Sequence, residues 1–493
     1  MDDTVNASTK LQGGESPSPT PPVANRSIPG KFWLAVAACS LGSAFQHGFN
    51  TGVINCPQEV ISQWISDIYS ARGTTLTKES LSLVWSVVVS IFCVGGMIGA
   101  LGTGYVSNRF GRKGGLLLNN IFVLIGGVLE GIALPANSPE LLIVGRFFVG
   151  VNCGLNAGLA PMYLTEISPV NLRGTIGSMY QLVVTISILV SQLVGMKTVL
   201  GNEAGWSWLL TLTLVPLVFQ LIVLPLCPES PRFTLLNQNK DDVALKSLRT
   251  LRGTDDVQSE IDQMKAEHDS SLQQTRVTVT ELFTSKALRM PLIIAAVMML
   301  AQQLSGINAV IFFSTDIFKS AGLNDDSAQQ ATLGMGSMNV LMTIISVIMV
   351  EKAGRKTLMQ IGMIGMAVVC VALTLTISLK DDVSWMKYIS VLLVIAFVVF
   401  FATGPGSIPW FIVSELFDHS ARPTAASIAV AINWTANFFI GISFSPVKVL
   451  IDQYVFLFFP VVLTAFIIFT WKYVPETKNR PIEEITAFFR QNN

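Results

Sequence analysis

Charged side chains are scarce in this sequence. Aspartate, glutamate, lysine and arginine make up only 13% of the 493 residues, whereas hydrophobic residues make up 51%. A soluble globule of this length would expose more polar surface than this composition can supply. The 32 basic residues also balance the 32 acidic ones, so there is no electrostatic basis for binding nucleic acid or another strongly charged partner. The composition predicts a protein that lies within a lipid bilayer.

Residues typical of catalytic or metal sites are also few. The six cysteines have no metal-ligand spacing and mostly fall within apolar runs, at Cys39, Cys56, Cys93, Cys153, Cys227 and Cys370. They are interpreted as small buried hydrophobic residues. The chain has no phosphate-binding glycine loop on a strand and no nucleophile beside a base. The sequence therefore predicts neither an enzyme nor a cofactor.

Short charged motifs occur twice in the chain, about 245 residues apart. FGRK at 110–113 recurs as AGRK at 353–356, TEISPVNLR at 165–173 as SELFDHSAR at 414–422, and PESPR at 228–232 as PETKNR at 475–480. A repeat of this length indicates a duplicated domain. In an apolar chain, such a duplication is typical of transporters built from two pseudo-symmetric bundles.

Twelve apolar runs are long enough to cross a bilayer of about 30 Å, which takes roughly 20 helical residues. They lie at 32–54, 82–106, 115–134, 140–162, 174–196, 206–226, 290–312, 330–350, 358–380, 386–411, 421–443 and 452–473. The longest polar interval, 227–289, separates the sixth run from the seventh. The sequence therefore predicts an all-α membrane protein with twelve transmembrane helices in two six-helix bundles, 32–226 and 290–473.

The polar segments predict how the chain lies in the membrane. Residues 1–31 are rich in Ser, Pro and Thr, which is typical of a disordered tail without a cleavable signal. The linker 227–289 alternates helix formers with charges, so we expect amphipathic helices that either stay solvated or pack against the spans. Most Lys and Arg fall on the side of both termini, including the tail 474–493. Both termini are therefore expected in the cytoplasm.

Charged residues recur at the predicted cytoplasmic ends of the spans. Arg112 and Arg355 follow spans two and eight, where basic residues satisfy the positive-inside rule without any further function. That rule does not explain Glu166 and Glu415, which end spans four and ten and are each followed seven residues later by an arginine. The arrangement favours ion pairs that tie helix ends together, as a latch that is formed in one conformation and broken in another.

A set of motifs in fixed order identifies a family. These are FGRK, YLTEISPVNLRG, PESPR, QQLSGIN, EKAGRK, GPGSIPWFIVSELF and VPETK. The set resembles the sugar porters of the major facilitator superfamily and is most similar to the animal facilitative glucose transporters. The resemblance implies the twelve-helix major facilitator fold, a plasma-membrane location and uniport of D-glucose without a cofactor. It also implies a set of latch residues, namely Arg112, Glu166, Arg173, Glu229, Glu351, Arg355, Glu415 and Arg422.

Span seven carries polar side chains within an apolar helix, at Gln302, Gln303, Ser305 and Asn308. A neutral sugar needs amides for its hydroxyl groups and aromatic faces for its C–H surface, and amides that faced lipid would be costly. The same amides could instead hydrogen-bond neighbouring helices. The resemblance favours sugar binding by Gln302, Gln303 and Asn308, completed by Gln181, Asn339, Trp410 and Asn433.

Span ten contains a cluster of helix-breaking residues, Gly404, Pro405, Gly406 and Pro409. Such a cluster bends a helix and is tolerated in a membrane only where the backbone lines a cavity or meets other helices. A static kink is one interpretation. The resemblance instead implies a moving gate, in which Trp410 closes the inner side of the sugar site.

The first span bears on whether transport is coupled to protons. The proton-coupled sugar porters carry an aspartate where this chain has Asn50, which cannot titrate, so the resemblance favours uniport. His47 can change charge near neutral pH, and Glu130 lies near the outer end of span three, from where it should reach the interface. A proton-coupled hexose symporter and a non-transporting sugar receptor remain alternatives. Ala402 and Thr185 also depart from the family pattern, which bears on affinity and hexose preference.

Overall fold

The computed structural model describes residues 29–272, 277–418 and 420–478, together with residues 480, 484, 485 and 489. Within these residues the regular structure is helical throughout. Nine stretches of the described chain are long and apolar enough to cross a membrane, and two of them, Lys78–Ala133 and Arg422–Tyr473, each contain two predicted spans. These nine stretches therefore hold eleven of the twelve predicted spans. The twelfth is the first span of the chain, which is interrupted by a π-helical segment.

The first half of the chain contains spans one to six. Its helices are α1 (Gly30–Ala37), α2 (Phe45–Gly52), α3 (Gln58–Ala71), α4 (Lys78–Ala133), α5 (Pro139–Ile167), α6 (Arg173–Val194), α7 (Trp206–Thr211) and α8 (Leu214–Val223). Spans two and three, predicted as separate runs, share the single element α4. They are divided by a turn at Gly111, with φ of 82° and ψ of −178°. Glycine takes this left-handed φ without steric cost.

The linker between the halves forms short helices, α9 (Pro231–Leu236), α10 (Asp241–Arg252), α11 (Gln258–Leu272) and α12 (Val279–Thr284). A small apolar cluster that includes Leu248 and Ile261 holds α10 and α11 together. Arg252 donates a hydrogen bond of 2.7 Å to the carbonyl of Ile167, the last residue of α5. The linker was expected either to stay solvated or to pack against the spans, and the structure agrees with packing against the ends of the spans.

The second half of the chain contains spans seven to twelve. Its helices are α13 (Lys286–Leu304), α14 (Ile307–Ser320), α15 (Asp325–Lys352), α16 (Arg355–Ser378), α17 (Met386–Thr403), α18 (Ile408–Leu416), α19 (Arg422–Ile451) and α20 (Phe458–Tyr473). The pair α13 and α14 forms span seven, and the pair α17 and α18 forms span ten. Of the predicted N-terminal tail, residues 1–28 lie outside the described residues, and α1 already begins at Gly30.

The surface and the interior both differ from those of a soluble protein. Large apolar side chains such as Val368, Leu450 and Val461 are exposed on the outer faces of the helices, whereas polar side chains such as Gln220 and Asn152 are fully buried. This distribution fits a hydrocarbon environment, where apolar groups face lipid and polar groups must find partners inside the protein.

Glycine contacts bring spans two and four to close approach. A Cβ atom on Gly150 of α5 would overlap the carbonyl oxygen of Phe92 in α4, and one on Gly154 would overlap that of Gly96. Helices in membranes associate chiefly through this kind of close packing, because lipid removes the hydrophobic drive that operates in water. The first bundle is therefore built around a crossing that only small residues permit.

We predict that Gly154→Val disrupts this crossing. The added side chain would collide with backbone atoms that cannot move aside, at a cost of about 1–3 kcal/mol or more. Purified variant protein should show a lower unfolding temperature and a smaller monodisperse fraction in detergent. Gly102→Val is the matched control, because no atom lies within 4 Å of a Cβ at that position of α4. Equal behaviour of the two variants would contradict the interpretation.

Candidate functional site

Four of the predicted sugar-binding amides form one hydrogen-bonded network. Gln303 Nε2 donates to Asn433 Oδ1 at 3.0 Å, and Asn433 Nδ2 donates to Gln302 Oε1 at 2.8 Å. Asn308 Nδ2 donates to Gln303 Oε1. All four side chains are buried, three on span seven and one on span eleven. The network is neutral and rich in donors and acceptors, which is the chemistry that sugar hydroxyl groups require.

Gln302 also connects this network to the bend in span ten. Residues 404–407 interrupt the helix between α17 and α18, and Pro409 lies in the first turn of α18. Gln302 Nε2 donates to the carbonyl oxygens of Pro405 at 2.9 Å and Gly406 at 2.8 Å. The bend predicted from sequence is present, and an amide of the candidate site satisfies two of the carbonyl groups that the bend releases.

The other three predicted sugar contacts lie apart from the network. Gln181 on α6 is exposed, Asn339 on α15 is half-buried, and Trp410 on α18 is 45% exposed. None of the hydrogen bonds within the described chain joins these side chains to the four amides. Trp410 therefore does not close the inner side of the network in this conformation, which differs from the expectation for a closed gate.

Span seven is itself broken, a feature that the sequence analysis missed. Gly306 separates α13 from α14 with a φ of +96°. A residue with a Cβ would be strained at this angle, and the glycine in QLSGIN was the available signal. The break lies between the amides of Gln303 and Asn308, so the two ends of the network belong to different helical segments.

A cluster that we call the first clasp joins three turns at one end of the spans in the first half. Arg112 NH2 donates to Glu166 Oε1 at 2.8 Å, and Ser230 Oγ donates to the second oxygen of that carboxylate. Glu229 Oε1 accepts the backbone N–H groups of Arg112 at 3.1 Å and Lys113 at 3.0 Å. These charge-assisted bonds tie the turn after span two to the ends of spans four and six.

The second clasp repeats this geometry in the other half. Glu415 Oε1 accepts from Arg355 Nε at 3.1 Å, and Thr477 Oγ1 donates to the other oxygen. Glu476 accepts the backbone N–H groups of Arg355 at 2.7 Å and Lys356 at 3.2 Å. Each contact has a counterpart in the first clasp, so the duplication seen in the sequence is also a duplication of hydrogen bonds.

The partners of the clasp glutamates differ from the expected ones. The sequence spacing suggested Arg173 and Arg422, but within the described residues the glutamates bind the arginines that follow spans two and eight. Arg173 is exposed at the start of α6, and Arg422 donates to the carbonyl of Phe417 at 3.0 Å. Each of these arginines begins the next helix, beyond the turn that follows its glutamate. The side chain of Glu351 lies outside the part of the chain that the structure describes.

Contacts between the two halves occur at the membrane side opposite the clasps. Asn55 Nδ2 donates to Ser314 Oγ at 2.6 Å. Lys319 Nζ lies 2.6 Å from Glu59 of the first half and 2.8 Å from Asp325 of its own half. The sequence analysis did not identify these residues, because charged and polar residues next to a span have no distinctive spacing.

His47 is hydrogen-bonded within the protein. Its Nδ1 lies 2.9 Å from the hydroxyl of Tyr180, and its ring stacks on Trp434 of the opposite half with ring centroids 6.5 Å apart. Asn50, one turn further along the same helix, donates to Thr213 Oγ1 at 2.7 Å. A hydrogen-bonded structural role thus accounts for the histidine without proton coupling.

The expectation that Glu130 reaches the membrane interface is wrong. Its side chain is 0% exposed, and Oε1 lies 4.0 Å from NH1 of the fully buried Arg146. The carboxylate lies between α4 and α5 rather than along the lipid face, because the opposite charge of Arg146 is there. The position of Glu130 near the end of a span did not indicate that its side chain points toward the interior.

Comparison with known proteins agrees with these features. A family model described as "Sugar (and other) transporter" matches residues 35–489. The chain belongs to this sugar transporter family. The sequence-based assignment to the sugar porters is therefore confirmed.

Curated relatives and solved structures that resemble this chain are named as transporters of sugars. The solute carrier family 2 facilitated glucose transporter member 1 of Gallus gallus is 44% identical over 462 residues, which cover 94% of each chain. Member 3 of Mus musculus is 45% identical over 457 residues, 92% of each chain. An inward open structure of the xylose transporter XylE from E. coli has a TM-score of 0.76 at 25% identity, covering 93% of this chain and 99% of that one. The predicted major facilitator fold is confirmed.

We predict that Gln302→Ala destabilises this sugar transporter more than Asn308→Ala does. Loss of Gln302 leaves the carbonyls of Pro405 and Gly406 without their donor, at about 1–3 kcal/mol for each unpaired buried group. Loss of Asn308 removes one donor to another amide. Thermal unfolding followed by tryptophan fluorescence in detergent should rank the variants in that order. The reverse order would show that the bend does not depend on Gln302.

Proposed function

We propose that this sugar transporter carries D-glucose and related hexoses down their gradient across the plasma membrane by alternating access. The observation that carries the proposal is the buried, uncharged network of four amides inside a family of sugar transporters. Relatives that are 44–45% identical over more than nine-tenths of the chain are named facilitated glucose transporters. In the proposed site, Gln181, Asn339 and Trp410 complete the contacts to the sugar once the two halves close around it.

We further propose that the conformation described here faces inward. The outer contacts between the halves are formed, including the pair of Glu59 and Lys319. Gln181 and Trp410 are exposed, and in this proposal they line the path by which the sugar leaves toward the clasp side. The start of α1, the end of α20 and the linker helices lie on that side, which the positive-inside rule assigns to the cytoplasm.

The latch role of the clasps is also a proposal. Each clasp joins turns within one half, which would keep the segments 32–226 and 290–473 rigid as they rock. When the cytoplasmic side closes, the clasp glutamates can exchange their partners for basic residues of the opposite half. Arg173 and Arg422, which are not bound to these glutamates here, are the proposed partners in that state, and Glu351 belongs to the same proposed set.

Uniport is favoured over proton symport by the first span. Asn50 offers no titratable group, and the relatives with the higher identity are facilitated transporters. One observation supports symport as a second candidate, because a structural neighbour with a TM-score of 0.73 and 25% identity is described as a proton:xylose symporter. The two candidates differ in whether a proton gradient drives accumulation.

The proposal predicts stereoselective and gradient-independent flux. Proteoliposomes containing the full chain should exchange D-glucose by counterflow and exclude L-glucose, with equal rates when the pH gradient is imposed or collapsed. Accumulation that disappears when the gradient is collapsed would establish the symporter instead. Binding of D-glucose without flux would point to a receptor.

The outer ion pair predicts a shift in the population of conformations. Cys56 lines a cavity of about 260 Å³ between the outer ends of the halves, next to Glu59 and Lys319. Because an exposed ion pair contributes about 0.2–1 kcal/mol, Glu59→Gln should raise the outward-open population about 1.4- to 5-fold. The rate at which a membrane-impermeant maleimide modifies Cys56 measures that population.

Two controls accompany this measurement. Cys56→Ser reports the background labelling of the other cysteines. Glu140→Gln removes an exposed outer ion pair with Arg72 that lies within one half, so it should leave the labelling rate unchanged. An unchanged rate in Glu59→Gln would show that this pair does not hold the outer side closed.

A further inference from the structure

Arg146 is a fixed positive charge in the interior of the first half. Its side chain is 0% exposed, and a guanidinium group does not give up its proton in a protein. NH1 donates to the backbone carbonyl of Asn50 at 3.0 Å, and the guanidinium carbon lies 4.7 Å from the ring centre of Phe92. Arg146 thus joins span four to spans one and two, and its charge needs compensation where water does not reach.

The first span does not provide the opposite charge. The side chain of Asn50 is neutral, and its amide donates to the carbonyl of Gln46 at 2.8 Å and to Thr213 Oγ1 at 2.7 Å. The other titratable groups that act on the guanidinium are the thiols of Cys93 and Cys153 and the carboxyl group of Glu130. Among these, the carboxylate is the group that can hold a full negative charge against an arginine.

Glycines make room for this carboxylate. A Cβ on Gly145, the residue before Arg146, would lie 2.7 Å from Glu130 Cγ and 2.9 Å from the carbonyl oxygen of Gly126. Spans three and four therefore pack closely around the glutamate side chain and direct it away from lipid. Neither carboxylate oxygen has a hydrogen-bond partner among the described residues, so the nearby charge of Arg146 is what compensates it.

We propose that Glu130 is the counter-ion of Arg146 and a positioning residue for transport. The pair holds the carbonyl of Asn50, and with it span one, against span four. Asn55, three residues beyond the end of α2, contacts the opposite half at the outer side, so the position of span one governs how the halves close. This inference rests on the proposed function, because its main readout is hexose flux.

The counter-ion acts on the motion of the halves and not on the four-amide network. The four-amide network lies in the second half of the chain, on α13, α14 and α19, whereas Glu130 and Arg146 lie in the first. Loss of the negative charge should therefore lower the maximal rate at least tenfold and change the KM for D-glucose less than twofold.

The experiment moves the negative charge instead of only deleting it. Glu130→Gln is compared with the double variant Asn50→Asp/Glu130→Gln, in which the carboxylate lies on the residue whose carbonyl already binds Arg146. We expect D-glucose counterflow to be lost in the single variant and restored to within threefold of the original rate in the double variant. Glu140→Gln, an exposed carboxylate on the same helix pair, is the control and should transport normally.

Three outcomes would overturn the proposal. Glu130→Gln could transport at the original rate, it could change KM instead of the maximal rate, or the double variant could remain as inactive as the single one. If the single variant does not fold, the unfolding temperature of the double variant distinguishes loss of the counter-ion from a packing defect. The relocated charge should restore folding if the counter-ion is what is missing, whereas a packing defect would persist in the double variant. If the unmodified protein carries no D-glucose, the proposed function fails, and the same unfolding temperatures still test the counter-ion.

Discussion

The water-free interior of the bilayer is the constraint on which the rest of this structure depends. A polar group there is stabilised by a partner inside the protein, and the helices provide such partners for several of the buried groups. Gln302 satisfies carbonyls that the bend of span ten would otherwise leave unpaired, and Arg146 lies against a carbonyl, an aromatic ring and a carboxylate. The same requirement keeps the four amides of the network bonded to one another, so in the proposed site a sugar hydroxyl would replace an existing hydrogen bond.

The duplication has preserved the periphery of the two halves more than their interiors. Both clasps use a glutamate for an arginine side chain and a second glutamate for backbone N–H groups. Inside, the first half contains a charged pair and a cluster of buried asparagines such as Asn119, whereas the second contains the amide network and two broken helices. In the proposed transport cycle, the first half would keep its shape, and the second half would bind the sugar and bend.

Composition and motif order were sufficient to predict the helical membrane fold and the family, because lipid imposes strong rules on length and hydrophobicity. The four amides that form the network were also predicted, since glutamine and asparagine are conspicuous in an apolar helix. The direction of side chains was not predictable in the same way. Glu130 looked free to reach the interface and instead lies beside Arg146, and the clasp glutamates bind arginines distant in sequence. The direction and the partner of a side chain depend on which helices are neighbours, and the spacing of residues in the sequence does not reveal this.

The break at Gly306 bears on the relation between sugar binding and the movement of span seven. In span seven, α13 holds Gln302 and Gln303, and α14 holds Asn308 together with Ser314, which contacts the first half. A hexose that bridges the amides on both sides of the break would brace the two segments against each other. An occupied carrier would then reorient faster than an empty one, so sugar on the far side of the membrane would accelerate unidirectional flux. In that case the rigidity of span seven would depend on whether a sugar is bound.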